Sequence, residues 1–123
     1  MVSPYGKELR KMRIDRSELL VTMAQKLDLS PAYLSAIENS TRSIPATLTE
    51  EIAKVYGLSE QELQALKKAE AESAKSIEIK LDNNFGVAGR QTALMFARSF
   101  NNISDADFER IKKILSGGNE NDG

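Results

Sequence analysis

Residues 19–45 read LLVTMAQKLDLSPAYLSAIENSTRSIP, two short helical patterns around a turn. Met23, Ala24 and Leu27 fall at i, i+1 and i+4 and form one apolar face. Ser30-Pro31 follows. Serine is a favoured N-cap and proline fits the first helical position, so a second helix starts there. Tyr33, Leu34 and Ile37 continue it at helical spacing. The spacing predicts helices over 18–27 and 31–39, separated by Asp28, Leu29 and Ser30. A turn this short sets the second helix across the first, the helix-turn-helix arrangement.

The register of Met23–Asn39, M-A-x-x-L-x-L-S-x-x-Y-L-S-x-I-E-N, resembles the DNA-binding domain of Cro/C1-type repressors, the XRE family. The usual pattern there is L-A-x-x-x-G-V-S-x-x-x-I-S-x-I-E-N-G. The resemblance spans roughly Tyr5 to Leu66 and implies a five-helix, lambda-repressor-like domain. Four departures stand out. Asp28 and Ser40 occupy positions that are often glycine, Leu20 stands where a phosphate-holding glutamine is common, and the outward positions Pro31, Ala32, Ser35 and Ala36 are small. The resemblance further implies that Glu38 pairs with a basic residue of the first helix, Arg10 or Arg13.

A recognition helix in the major groove puts its N-terminal residues against base edges. Ala32 and Ser35 are then the base readers, with Ser30, Pro31 and Asn39 at the margin. Serine bonds several bases and alanine meets a thymine methyl, but neither makes a bidentate pair. Tyr33 fits either the core or the sugar-phosphate backbone. Phosphate contacts come mostly from Lys, Arg, Ser and Thr. The candidates are Thr41, Arg42 and Ser43 after the helix, Ser17 at the start of the preceding one, and Lys7, Arg10 and Lys11 on the first.

Outward from this motif, Tyr5, Leu9 and Met12 at i, i+4 and i+7 predict a first helix over 5–12. Asp15 and Glu18 read as a capping box for the next helix. Ile44-Pro45 opens a fourth helix to Tyr56, and Gly57 ends it in the left-handed cap position. Ser59-x-x-Glu62 is a second capping box, which starts a fifth helix. The domain is read as 1–68, and the polar, alanine-rich run 69–75 as a helical arm leaving it.

Beyond the arm the period changes. Ile77, Ile79 and Leu81 alternate with Glu78 and Lys80, which predicts a β-strand. Helical spacing returns with Ala93, Phe96, Ala97 and Phe100, then with Phe108, Ile111, Ile114 and Leu115 after a Ser104 cap. A lone strand leaves unpaired N–H and C=O groups, and a second protomer is the simplest partner. Residues 76–115 are therefore read as a dimerisation region built on Ile77, Ile79, Leu81, Phe96, Phe100, Phe108 and Ile111. The other reading is a linker packed on its own domain. Residues 116–123, rich in Gly, Asn and acid, are expected to be a disordered tail.

The 123 residues contain no Cys, hence no disulfide framework or thiolate metal site. They contain no His, the commonest general base and metal ligand. The acidic pairs do not converge, Asp82-Asn83-Asn84 lacks the closing acid of a calcium loop, and no phosphate-cradling glycine loop is present. Neither an enzyme nor a cofactor is expected. The longest apolar run, Ala93–Ala97, is far below the ~20 residues of a membrane span, and no signal segment is visible. A cytoplasmic protein is expected.

Net charge is −1, but it is unevenly placed: Met1–Arg16 holds five basic and two acidic residues, Ala69–Gly123 seven and nine. A local DNA face and a plain solvated helix face both fit this pattern. The expected protein is mainly α: a sequence-specific transcriptional regulator, a repressor, that binds double-stranded DNA at an inverted-repeat operator as a homodimer. The rival is a protein-interaction adapter or antitoxin that uses this fold without strong DNA binding, with a toxin or antirepressor as partner.

Overall fold

The computed structural model describes residues 1–117 except Glu78 and Lys80. It is mainly α, and the chain divides into two compact units, Met1–Ile79 and Lys80–Gly123.

The first unit holds five helices: α1 (Pro4–Asp15), α2 (Leu20–Lys26), α3 (Pro31–Glu38), α4 (Leu48–Tyr56) and α5 (Glu60–Ser73). Tyr5, Leu9, Met23, Leu34, Ile37, Leu48, Ile52 and Leu66 are all but fully buried, so every helix contributes to one core. Each such side chain is worth roughly 1.5–3 kcal/mol. Local chemistry sets most of the ends. Ser3 caps α1 by accepting from the Gly6 amide, Ser30 caps α3 by accepting from Tyr33, and Ser59 and Glu62 form the anticipated capping box of α5. Gly57 closes α4 at φ 59°, a conformation in which glycine has no Cβ clash.

Three boundaries differ from the sequence reading. Helix α1 runs on to Asp15, one turn past the expected Met12, because Arg13 is drawn inward to a buried carboxylate. Asp15 is thereby spent inside α1, so the expected capping box on α2 does not form; Leu19 precedes α2 with no side-chain cap. Helix α4 begins at Leu48, three residues beyond Pro45. The stretch 69–75 does not leave the domain as an arm. Helix α5 continues through Ser73, Ala69 is buried, and the Tyr5 amide donates to Ser73 Oγ at 2.9 Å. Small alanines allow that close approach where larger apolar residues would have announced a core face.

The predicted strand is also corrected. Ser76, Ile77, Ile79 and Leu81 carry no strand, and none occurs among the described residues; Glu78 and Lys80 lie outside them. The alternation is real, but a strand needs a neighbouring edge to take its backbone hydrogen bonds, and the helices supply none.

In the second unit, α6 (Val87–Ser99) leads through a 3₁₀ turn (Phe100–Asn102) to α7 (Asp105–Leu115), capped by Ser104 on the Asp107 amide. Phe96, Phe100 and Phe108 form an edge-to-face chain with centroids 5.4 and 5.3 Å apart. No described residue of this unit is buried. Ser116 and Gly117 form a turn, and the rest of the expected tail lies outside the described residues.

Candidate nucleic-acid interface

Helix α3, the second helix around the short turn, has eight residues, so its orientation depends on what grips its two ends. Its start is fixed by the turn: Leu29 N–H reaches the Ala24 carbonyl at 2.9 Å, with Asp28 in the left-handed region at φ 58°. Aspartate tolerates that region better than most residues, which is how this chain dispenses with glycine there.

Its exit is held more strongly. The Glu38 carbonyl accepts from both the amide and the hydroxyl of Ser3, at 2.9 and 3.1 Å. The Glu38 carboxylate, almost completely buried, accepts from Arg13 Nη1 at 2.5 Å and Nη2 at 3.1 Å, and from Arg10 Nε at 3.4 Å. A bidentate guanidinium pair fixes angle as well as distance. Of the two candidate partners, Arg13 is the buried one and Arg10 stays half-exposed. Gly6 completes the clamp, since a Cβ there would run into the Glu38 carbonyl and lie 2.9 Å from Val2 Cγ1.

With Leu34 and Ile37 inward, α3 turns Pro31 and Ala32 fully outward and leaves Tyr33, Ser35, Ala36 and Asn39 half-exposed. Asn39 is not a free reader: its amide donates to the Ser35 carbonyl at 2.9 Å and to Ser35 Oγ at 3.4 Å. Ser35 keeps its own hydroxyl proton to offer. Thr41, Arg42 and Ser43 continue the exposed face, and Arg42 lies 6.0 Å from the centre of the Tyr33 ring. Tyr33 therefore serves both readings, its ring packed on the core edge and its face toward a cation. The loop 40–46 and the end of α5 enclose a groove of about 480 Å³ lined by Ile37, Arg42, Ile44, Ala74, Lys75 and Ile77, among others. Lys75, which charge counting alone does not single out, lines that groove just past the end of α5, together with Ala71 and Ala74.

The other phosphate candidates are placed differently. Lys7 and Lys11 lie one turn apart on the exposed side of α1 and make no ion pair among the described residues. Ser17 is not at the start of α2. It sits in the α1–α2 connection at φ 52°. Glu18, beside it, accepts from Lys26 at 2.5 Å and from the Tyr56 hydroxyl. Burial would raise its pKa, but the Lys26 and Tyr56 hydrogen bonds outweigh this and hold the carboxyl below its ordinary range. The Tyr56 phenol is pushed up, first by burial and then by that carboxylate. Arg16 and Lys26 lie 5.3 and 5.1 Å from the Tyr56 ring, tying the α1–α2 corner to α4.

A family model described as a helix-turn-helix domain matches residues 4–66. The chain belongs to that family. No curated protein and no solved structure gives a significant match. Helices α2 and α3 are the two helices of the motif, and the matched span ends at Leu66, the last fully buried core residue. Membership supports reading the chain as a DNA-binding regulator. No helix among the described residues is long and apolar enough to cross a membrane, and no group of three metal-ligating side chains occurs among them.

Proposed function

We propose that this helix-turn-helix protein is a sequence-specific transcriptional repressor of the Cro/C1 kind. It binds an inverted-repeat operator as a homodimer joined through residues 76–115. The observation that carries this reading is the double grip on α3: the end at Glu38 is held by buried charge while the start, Ser30–Ala32, stands clear of the core. A helix fixed at both ends, with the side chains of its first turn clear of the core, suits insertion into a major groove. Arg42, Thr41 and Ser43 flank it as phosphate ligands, with Lys7, Arg10 and Lys11 further out.

The test is fluorescence anisotropy with sites selected from random DNA, over a range of salt. Arg42→Ala and Lys11→Ala are expected to weaken binding to all sequences and lower the salt slope by about one per lost phosphate contact. Ser35→Ala is expected to change preference at one base pair by about 1–3 kcal/mol. Unchanged slopes and an unchanged selected motif would overturn the reading. One observation favours the adapter or antitoxin alternative: Pro31, Ala32 and Ala36 offer no hydrogen-bonding side chain. Salt-insensitive or absent DNA binding would decide for it.

A further inference from the structure

The helical period gathers residues 31, 35, 39, 32 and 36 side by side on α3, within an arc of about 140°, turned away from the buried Leu34 and Ile37. Pro31 and Ala32 are exposed, and Ser35, Ala36 and Asn39 are half-exposed. Three of these five side chains carry nothing but carbon and hydrogen. The other two are partly spent on each other. The Asn39 amide nitrogen donates to the Ser35 carbonyl at 2.9 Å and to Ser35 Oγ at 3.4 Å. What remains for hydrogen bonding is the Ser35 hydroxyl proton and Asn39 Oδ1.

This inventory limits what the arc can recognise. It holds no Arg, Lys or Gln, so it has no bidentate partner for guanine. Asn39 is the one side chain of the arc that could pair in bidentate fashion with adenine, and its amide hydrogens are already engaged. Carbon laid on a base carbonyl or amine strips water from it and gives no bond in return. Carbon laid on a methyl group buries apolar surface on both sides. The major-groove edges of the four bases carry one such group, the C5 methyl of thymine.

From this face we infer that α3 reads the C5 methyl groups of pyrimidines, with Pro31, Ala32 and Ala36 as the specificity-determining residues and Ser35 adding one hydrogen bond. This rests on the DNA binding through α3 proposed above and names what that helix recognises. 5-Methylcytosine carries the same methyl at the same ring position. Methylating a cytosine that lies under these residues therefore creates the same contact, and makes binding responsive to cytosine methylation.

The test starts from the half-site selected out of random DNA by the full chain. Each thymine is replaced in turn by deoxyuridine, which lacks the methyl and keeps every hydrogen-bonding group. At the thymines under α3, affinity should fall about fourfold per methyl lost. At those same positions, 5-methylcytosine should bind about fourfold more tightly than cytosine. In Ala32→Gly or Ala36→Gly the deoxyuridine penalty at the contacted thymine should shrink below about twofold. Any loss of helix stability falls equally on both DNAs, so the cycle isolates the contact. A selected half-site whose affinity is unchanged by every deoxyuridine overturns the inference and leaves DNA binding intact. A deoxyuridine penalty unmatched by a gain from 5-methylcytosine overturns it too, since the same methyl in the same place must count in both. A full penalty retained in both glycine variants overturns the assignment to Ala32 and Ala36. Absent or salt-insensitive DNA binding overturns the proposed function itself.

Discussion

Helices α1–α5 and helices α6–α7 have similar apolar periodicity, yet the first group buries its stripes and the second exposes them. Tyr5, Leu9, Leu34 and Ile52 are inaccessible to solvent, whereas Val87, Leu94, Met95 and Ile114 are all more than half exposed. The difference is one of number rather than of sequence quality. Five helices cover one another on several sides. Two helices joined by a 3₁₀ turn cover at most one face each. A region whose apolar side chains remain outside is short of a partner, while one whose side chains are inside can fold alone.

The sharpest way to break this comparison is to separate the regions. Truncation after Ile79 should leave a monomer whose thermal melt matches that of the N-terminal unit in the whole chain. Its affinity for an inverted repeat should fall by roughly two orders of magnitude or more, because two linked half-sites become one. A truncated form that still dimerises would place the interface in the first unit.

Within the first unit, Glu38→Ala should cost about 3–5 kcal/mol in urea unfolding, since it leaves Arg13 buried without its carboxylate. Ile114→Ala in the second unit should leave monomer stability within about 0.5 kcal/mol and show only in self-association. Gly6→Ala should cost about 1–3 kcal/mol by forcing α1 away from the α3 exit, with DNA affinity falling alongside.

The Glu18–Tyr56 pair gives that unit a pH signature. Glu18 is depressed in the fold, so its contribution is present above the ordinary value of 4.5 and lost as pH falls through the folded pKa. Tyr56 is raised, so its contribution is present below the ordinary value of 10.0 and lost as pH rises through the folded pKa. Glu18→Gln should flatten the acid limb of urea midpoint against pH, and Tyr56→Phe the alkaline limb. A stabilising change is expected at Ser40, held at φ 64°. Ser40→Gly should stabilise by about 0.5–1 kcal/mol, because only glycine adopts that conformation without a Cβ clash.

Much of the fold was legible along the chain. The Ser30-Pro31 start, the Ser59–Glu62 capping box, the Gly57 stop and the Ser104 cap are local events, decided by residues within one helical turn. The stripes of α2 and α3 and the short turn between them follow from spacing alone. The outward face of α3 was legible too, as the complement of Leu34 and Ile37. What spacing does not carry is which polar group meets which. That Asn39 folds back on Ser35 rather than standing free depends on the exact exit of α3. That Glu18 serves Tyr56 and Lys26 instead of capping α2 depends on where α4 packs, 38 residues further on.

By itself the sequence determined helix identities, caps and the helix-turn-helix register, because these rest on interactions within a few residues. Only the tertiary structure decided three other matters. It kept residues 69–73 on the domain, where small alanines admit α1. It denied Ser76, Ile77, Ile79 and Leu81 a strand, because the helices offered no edge to pair with. It chose Arg13 over Arg10 as the buried partner of Glu38, since α1 continues one turn beyond its apolar stripe. Each depends on what a distant part of the chain brings close, and neither periodicity nor charge counting records that distance.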